Sequence, residues 1–442
     1  LSFATHSWSS FNRDIRIPVG GPLSGGYSMS IKKRKGFNIG LMLAKLSTER
    51  TLNPDKSISM QNFDVVDKYV SFFTTSIVAE GKSDAFVRNV VKDAMNAEQD
   101  LTEGKFIKHC NRIANIKMRD ELKLFKVVFP VWGGQGFFTG RRKWTDVHIN
   151  LNVSPKSSFT KRAKLERAKQ FKKLQNHPDE ILDGLQELPL AVCSVRAVDV
   201  LDAFEQAEHA ISKELGLYAL ISGRGKFIFK TGPDRSINMT LLAPHMTVHE
   251  PDGSISVEMY WYNRWPRGMV EKRPTQNGIE NINRNVAKVR DKIRKLPWRH
   301  IAEIALARRY SAFAQCDLEA SFLDGWRLLE ATAGHYRENS ETLLRRAAWF
   351  FEERDEQFQI GLHLMHRRNL ISHGRPVKGE SYEGLAFQMK EFLTPFLHAF
   401  LTNPFNFRDI EEFWDFCDLP IDKPARMRQA YLLDCVAEFR RE

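Results

Sequence analysis

Beyond residue 280 the chain almost abandons strand-like alternation. Apolar residues recur there at helical spacing through 281–297, 299–315, 318–335, 340–352, 355–373 and 381–402. Segments joined by connections of a few residues bury their apolar stripes by packing on antiparallel neighbours, so an all-α bundle is expected over 280–442. The break before it lies at RPTQNG, 273–278, where Pro, Asn and Gly interrupt the pattern. No period of 20–50 residues recurs, which argues against a solenoid.

Upstream the pattern is mixed. The first fifty residues, with VGGPLSGGYS and IKKRKG, read as turns and short strands. Val65, Tyr69, Phe72, Phe86, Val90 and Met95 suit helices between Asp64 and Ala97. Leu122–Trp132 reads as a buried strand, 147–153 as a half-exposed one, 161–173 as a basic surface helix and 191–198 as a strand. Val200, Leu201, Phe204, Ala207, Ile211 and Leu215 predict an amphipathic helix, and further strands are expected at 217–222, 226–230, 237–242 and 254–262. The fold class is therefore α+β. A mixed, β-rich region over 1–275, with a subdivision near 155–190, precedes the bundle, and a chain of 442 residues is expected to form two or three domains.

The net charge of +12 and pI near 9.4 favour a polyanionic partner, nucleic acid before membrane. Residues 295–442 carry a net −3, so residues 1–294 carry +15. The excess concentrates in two runs. One holds Lys161, Arg162, Lys164, Lys172 and Lys173; the other holds Lys288, Arg290 and Arg294, and both are candidate RNA contacts as well as ordinary solvated helix faces. No stretch reaches the ~20 apolar residues of a membrane span, and the opening LSFATHSWSSFNRDIR has no leader-like pattern. Cys110, Cys193, Cys316, Cys417 and Cys435 are odd in number and scattered, so disulfides are not expected and a reducing cytoplasm is.

Three segments invite a site. VWGGQGFFTGRRKW, 131–144, lacks the GK[ST] ending of a phosphate loop. His245 and His249 lack the glutamate of a zinc helix. The third is DEQFQIGLHLMHRRNLISHGRP, 355–376, where Phe358, Leu362, Met365, Asn369 and His373 share one helical stripe that turns polar at its end. One helix earlier, Leu323, Trp326, Glu330 and Ala333 share a face, which puts the Glu330 carboxylate on the core-facing side and calls for a cation from Arg367 or Arg368.

With its Arg368-Asn369-Leu370-Ile371-Ser372-His373 motif and the upstream helix SFLDGWRLLEATAG, 321–334, the region 300–400 resembles a HEPN domain of the ApeA-like type. The resemblance implies a metal-independent endoribonuclease that needs no cofactor, acts as a homodimer and serves bacterial antiviral defence, abortive infection or growth arrest as a toxin-like effector. It implies Arg368, Asn369 and His373 as catalytic residues, with Glu330, His366 and Arg367 supporting them. RNA such as tRNA or mRNA is the implied substrate, with a phage-derived or nucleic-acid trigger acting through the front region. Arg375 stands where nucleotidyltransferase-controlled members carry a Tyr, so that control is not expected.

The residue types suit the chemistry. RNA supplies its own 2′-hydroxyl nucleophile, His373 transfers protons near neutral pH and Arg368 holds two phosphate oxygens. Five residues on an ideal helix separate them by about 140°, so either the helix ends near Ser372 or two chains join their motifs. The competing reading is a non-catalytic nucleic-acid-binding or sensor protein, with Arg368–Glu330 a core ion pair and His373 a helix cap.

Overall fold

The computed structural model describes residues 30–52, 58–60, 63–98, 100–133, 140–151, 157–174, 188–223, 236–238, 240–262, 275–335, 338–374 and 381–440. The VGGPLSGGYS stretch, the expected strand at 226–230, most of the glycine-rich loop at 134–139, and Arg375 and Pro376 lie outside these residues, as does the Lys173 side chain.

The described chain opens with β1 (Lys32–Lys33), α1 (Ile39–Thr48), β2 (Arg50–Leu52), β3 (Ile58–Met60), α2 (Phe63–Ser76), β4 (Ile77–Val78), α3 (Asp84–Met95) and α4 (Glu103–Ile116). Ser83 and Thr102 cap α3 and α4 by accepting the Phe86 and Lys105 amides. These helices enclose a core of their own around Phe73, Phe86, Val90 and Phe106. They meet the next unit through polar contacts: Ser83 with Asp202, Asn89 with Asp199, and the Ala85 amide donating to Glu205 Oε2 at 2.8 Å.

A second group follows: β5 (Lys123–Trp132), β6 (Gly140–Trp144), β7 (Val147–Leu151), α5 (Ser158–Leu174), β8 (Leu190–Ala197), α6 (Val200–Ser222), β9 (Leu241–Leu242) and β10 (Thr247–His249). The strands form an antiparallel sheet in the order β10-β5-β8-β7-β6, with β9 also beside β5. Both faces of β5 are covered over 127–131, which is why the strand reads as an unbroken apolar run beyond Lys126. Phe125, Val127, Phe129 and Val131 join the core shared with α6, while Val128 packs with Phe159 and Ala163 of α5.

The all-α part comprises α7 (Gln276–Lys295), α8 (Arg299–Ala314), α9 (Leu318–Ala333), α10 (Ser340–Ala348), α11 (Arg354–Ser372), α12 (Tyr382–Thr402), α13 (Ile410–Asp418) and α14 (Lys423–Arg440). Among the described residues no strand follows residue 300, so the protein is α+β, a sheet region followed by helices. The sheet, α6 and the helices α7 to α13 contribute to one continuous hydrophobic cluster. α6 approaches α8 at Gly216, where a Cβ would stand 2.0 Å from the Leu306 carbonyl oxygen, so only glycine permits this crossing.

Three expectations fail. Residues 39–48, read among turns and short strands, form α1, with Ile39, Leu43 and Leu46 buried on one face. Residues 217–222 are the last turns of α6, because a run buried on all sides carries no period to distinguish strand from helix. Residues 254–262 form only isolated bridges at Ile255 and Trp261.

Candidate active site on α9 and α11

α11 runs unbroken to Ser372 and stops where Gly374 takes φ +66°, a left-handed conformation that favours glycine. The His373 and Gly374 amides close the end on the Asn369 and Ile371 carbonyls at 3.1 and 2.9 Å. The fully buried residues of α11 are Gly361 and Leu364. At Gly361 the helix comes close to its neighbours, since a Cβ would meet Leu344 Cδ2 and Phe392 Cζ at 3.0 Å each.

This orientation corrects the expected stripe. The face centred on Gly361 and Leu364 continues into Arg368, whereas Asn369 and His373 point away from it and are exposed. Apolar residues lie almost all round α11 (Phe358, Ile360, Leu362, Leu364, Met365, Leu370, Ile371), so their spacing does not choose which side is buried. Exposed Asn369 and His373 need no buried partner.

Arg368 is held by three contacts. Its Nη2 donates to Glu330 Oε1 at 2.8 Å, its Nη1 donates to Asn369 Oδ1 at 3.0 Å, and its guanidinium lies 5.4 Å from the Trp326 ring centroid. The buried Trp326 donates from Nε1 to the same Glu330 oxygen at 2.7 Å. Glu330 thus links the indole of its own helix to the arginine of α11, and the Trp-x3-Glu spacing on α9 is the sequence signal for it. The pair does not lie in the core as expected: the side chains are 32% and 38% exposed for Arg368 and Glu330. It sits on the bundle rim, anchored through Glu330 and partly exposed.

His366 and His373 are exposed and Arg367 is half-buried. No side-chain hydrogen bond of His373 is present among the described residues. With α11 regular between Arg368 and Ser372, the two motif residues stay on different sides of one helix, about 140° apart. A single copy therefore does not point both at one phosphate.

The basic runs divide. Lys161, Lys164 and Lys172 of α5 and Lys288 of α7 are exposed, Arg162 pairs with Asp252 at 2.6 Å and Arg294 with Asp291 at 3.3 Å. Arg290 is buried, bonded to the fully buried Glu214, which also accepts from Trp144 Nε1 at 2.7 Å. Arg290 is thus part of the α6–α7 packing and is not on the exposed basic face. Sequence reading also passed over Arg167, whose Nη1 donates to the His245 carbonyl at 2.6 Å and Thr247 Oγ1 at 2.9 Å.

His245 and His249 are buried, the first bonded to Gln170 Oε1 at 3.1 Å and the second to Thr247 Oγ1 and the Gly253 carbonyl. Burial, with Arg167 nearby, pushes them down to about 3 and about 4, so both are neutral packing residues at pH 7. A cleft of about 500 Å³ beside Leu220, Lys292, Thr394 and His398 does not include the motif. Compared with protein-family models, curated proteins and solved structures, the chain matches none.

Proposed function

We propose that the 280–442 bundle is a HEPN-type endoribonuclease that cleaves RNA without a metal, in a cytoplasmic setting of bacterial defence or growth arrest. The observation that carries this reading is Arg368. A core ion pair would be buried, whereas this guanidinium is oriented by Glu330, Asn369 and Trp326 on an open rim. Such a cation is preorganised for the charge that develops on a phosphorane.

In this mechanism His373 takes the 2′-hydroxyl proton as the 2′-oxygen bonds to phosphorus, the P–O5′ bond breaks and the leaving 5′-oxygen takes a proton from water, while Arg368 binds the non-bridging phosphate oxygens and Asn369 orients Arg368. Because one α11 presents these groups about 140° apart, the site is completed by His373 or Arg368 of a second copy. Exposed Lys161, Lys164, Lys172 and Lys288 supply RNA affinity.

The test is incubation of the purified protein with total RNA and with tRNA in EDTA, beside His373→Ala and Arg368→Ala. Expected products end in 2′,3′-cyclic phosphates, and 2′-O-methyl RNA resists. Undiminished cleavage by His373→Ala, or a strict requirement for magnesium, defeats the proposal. Salt-dependent RNA binding with no cleavage by any form favours the second reading, a nucleic-acid-binding sensor that uses the same exposed lysines.

A further inference from the structure

The last helix is out of keeping with the others. α14 has eighteen residues and buries none of them. Met427, Tyr431, Leu432, Leu433, Val436 and Phe439 stand between 48% and 81% exposed. All but Leu433 fall within about 180° of helix circumference at ~100° per residue. An isolated helix of this length is marginal in water, and its stability ordinarily comes from packing an apolar face. Scattered apolar residues on a surface need no explanation, but five on one face of a single helix, interrupted there by Arg428 and Glu438, do.

We propose that α14 pairs antiparallel with α14 of a second copy of this chain. Two arguments select this occupant. Covering the five stripe residues removes at most about 600 Å² of surface per copy, roughly three quarters of the ~800 Å² per partner of a standard interface, and pairing like with like covers both stripes in one closed, two-fold contact. The charge pattern sets the direction. The first half of α14 carries Lys423, Arg426 and Arg428; the second carries Asp434 and Glu438 with Arg440, a net of +3 against −1. Antiparallel pairing sets the basic half of each copy beside the acidic half of the other, whereas parallel pairing sets like beside like. In the register that places Arg428 opposite Glu438, Met427 faces Phe439 and Tyr431 faces Cys435.

The proposal does not rest on the ribonuclease reading, because its readout is mass. The full chain is measured by light scattering on a sizing column at about 10 µM, where an interface of standard size holds together. A dimer is expected, and Leu432→Asp/Phe439→Asp gives a monomer that loses at most the helical circular dichroism of α14 and keeps the thermal midpoint of the rest of the fold, since α14 contributes nothing to the core. Should that variant aggregate, Val436→Lys serves in its place. Glu438→Arg raises the dimer dissociation constant several-fold and Arg428→Glu in the same chain restores it. A monomeric wild type, a dimer that survives the stripe substitutions, or a Glu438→Arg defect that Arg428→Glu fails to restore overturns the proposal.

Discussion

Arg346 and Arg368 keep similar company. Each guanidinium lies over a tryptophan, Arg346 at 5.6 Å from the Trp414 ring and Arg368 at 5.4 Å from the Trp326 ring, and each is bonded to carboxylate. Water separates them. The Arg346 side chain is 5% exposed, takes Glu338 in two bonds of 2.9 Å, reaches both oxygens of Asp418 and donates to the Ala333 carbonyl at 2.8 Å. Burial works to lower its pKa, yet the bonds to Asp418 and Glu338 leave it raised, so every donor is spent on holding α9, α10 and α13 together. Arg368 has one carboxylate and is about a third exposed. The same residue types serve as a structural clamp when buried and as a candidate phosphate ligand at the rim.

Substitutions test that contrast, beginning with the largest effect. Arg368→Ala and His373→Ala should each reduce RNA cleavage by about 10²–10⁴-fold, the usual loss for a charge stabiliser or proton-transfer group, with thermal midpoints within a few degrees of wild type. A large drop in midpoint for either would move Arg368 into the class of Arg346. Arg346→Ala should instead destabilise by about 3–5 kcal/mol in urea unfolding, because Glu338 and Asp418 are left without their cation. A loss below ~1 kcal/mol would dissolve the distinction.

Lys390 extends the comparison to a buried cation with no ion pair among the described residues. Its neighbour Arg309 is fully buried too, and both terminal nitrogens of that guanidinium lack a hydrogen-bond partner. Burial first, and then Arg309, push the Lys390 ammonium down to about 8 from 10.5. A base whose pKa is lower folded than unfolded binds fewer protons when folded, so stability rises with pH between those two values. The cost, on the order of 3 kcal/mol for this shift, is fully present below pH 8 and vanishes above about 10.5. Lys390→Met should therefore stabilise the protein at pH 7 and flatten the rise between pH 8 and 10. Equal slopes for the two proteins would show that the Lys390 pKa is the same in the folded and unfolded chain.

The smallest effect is expected at Glu330. Glu330→Gln keeps the hydrogen bond from Trp326 while removing the charge, and a half-exposed pair contributes ~1 kcal/mol or less. Stability should hardly change while cleavage falls about tenfold through a misplaced Arg368, a drop of order 1.4 kcal/mol in transition-state binding. Unchanged cleavage would mean that Arg368 is oriented by Asn369 and Trp326 alone.

Local pattern determined most of the elements. α7 to α12, β5, β7, β8 and the start of α6 lie where period and turn residues put them, because one-sided burial leaves a period in the sequence. That Glu330 takes a cation from α11 was likewise legible, although the sequence left Arg367 and Arg368 open and the tertiary structure chose Arg368. Tertiary structure decided what has no local period. It carried α6 on to Ser222 through residues buried on every side, and placed Arg290 on Glu214 instead of in solvent. It turned Asn369 and His373 outward on a helix apolar almost all round, and set Glu330 on the rim rather than in the core. Which side of a helix meets water depends on its neighbours, and at α11 those are Leu344 and Phe392 closing on Gly361.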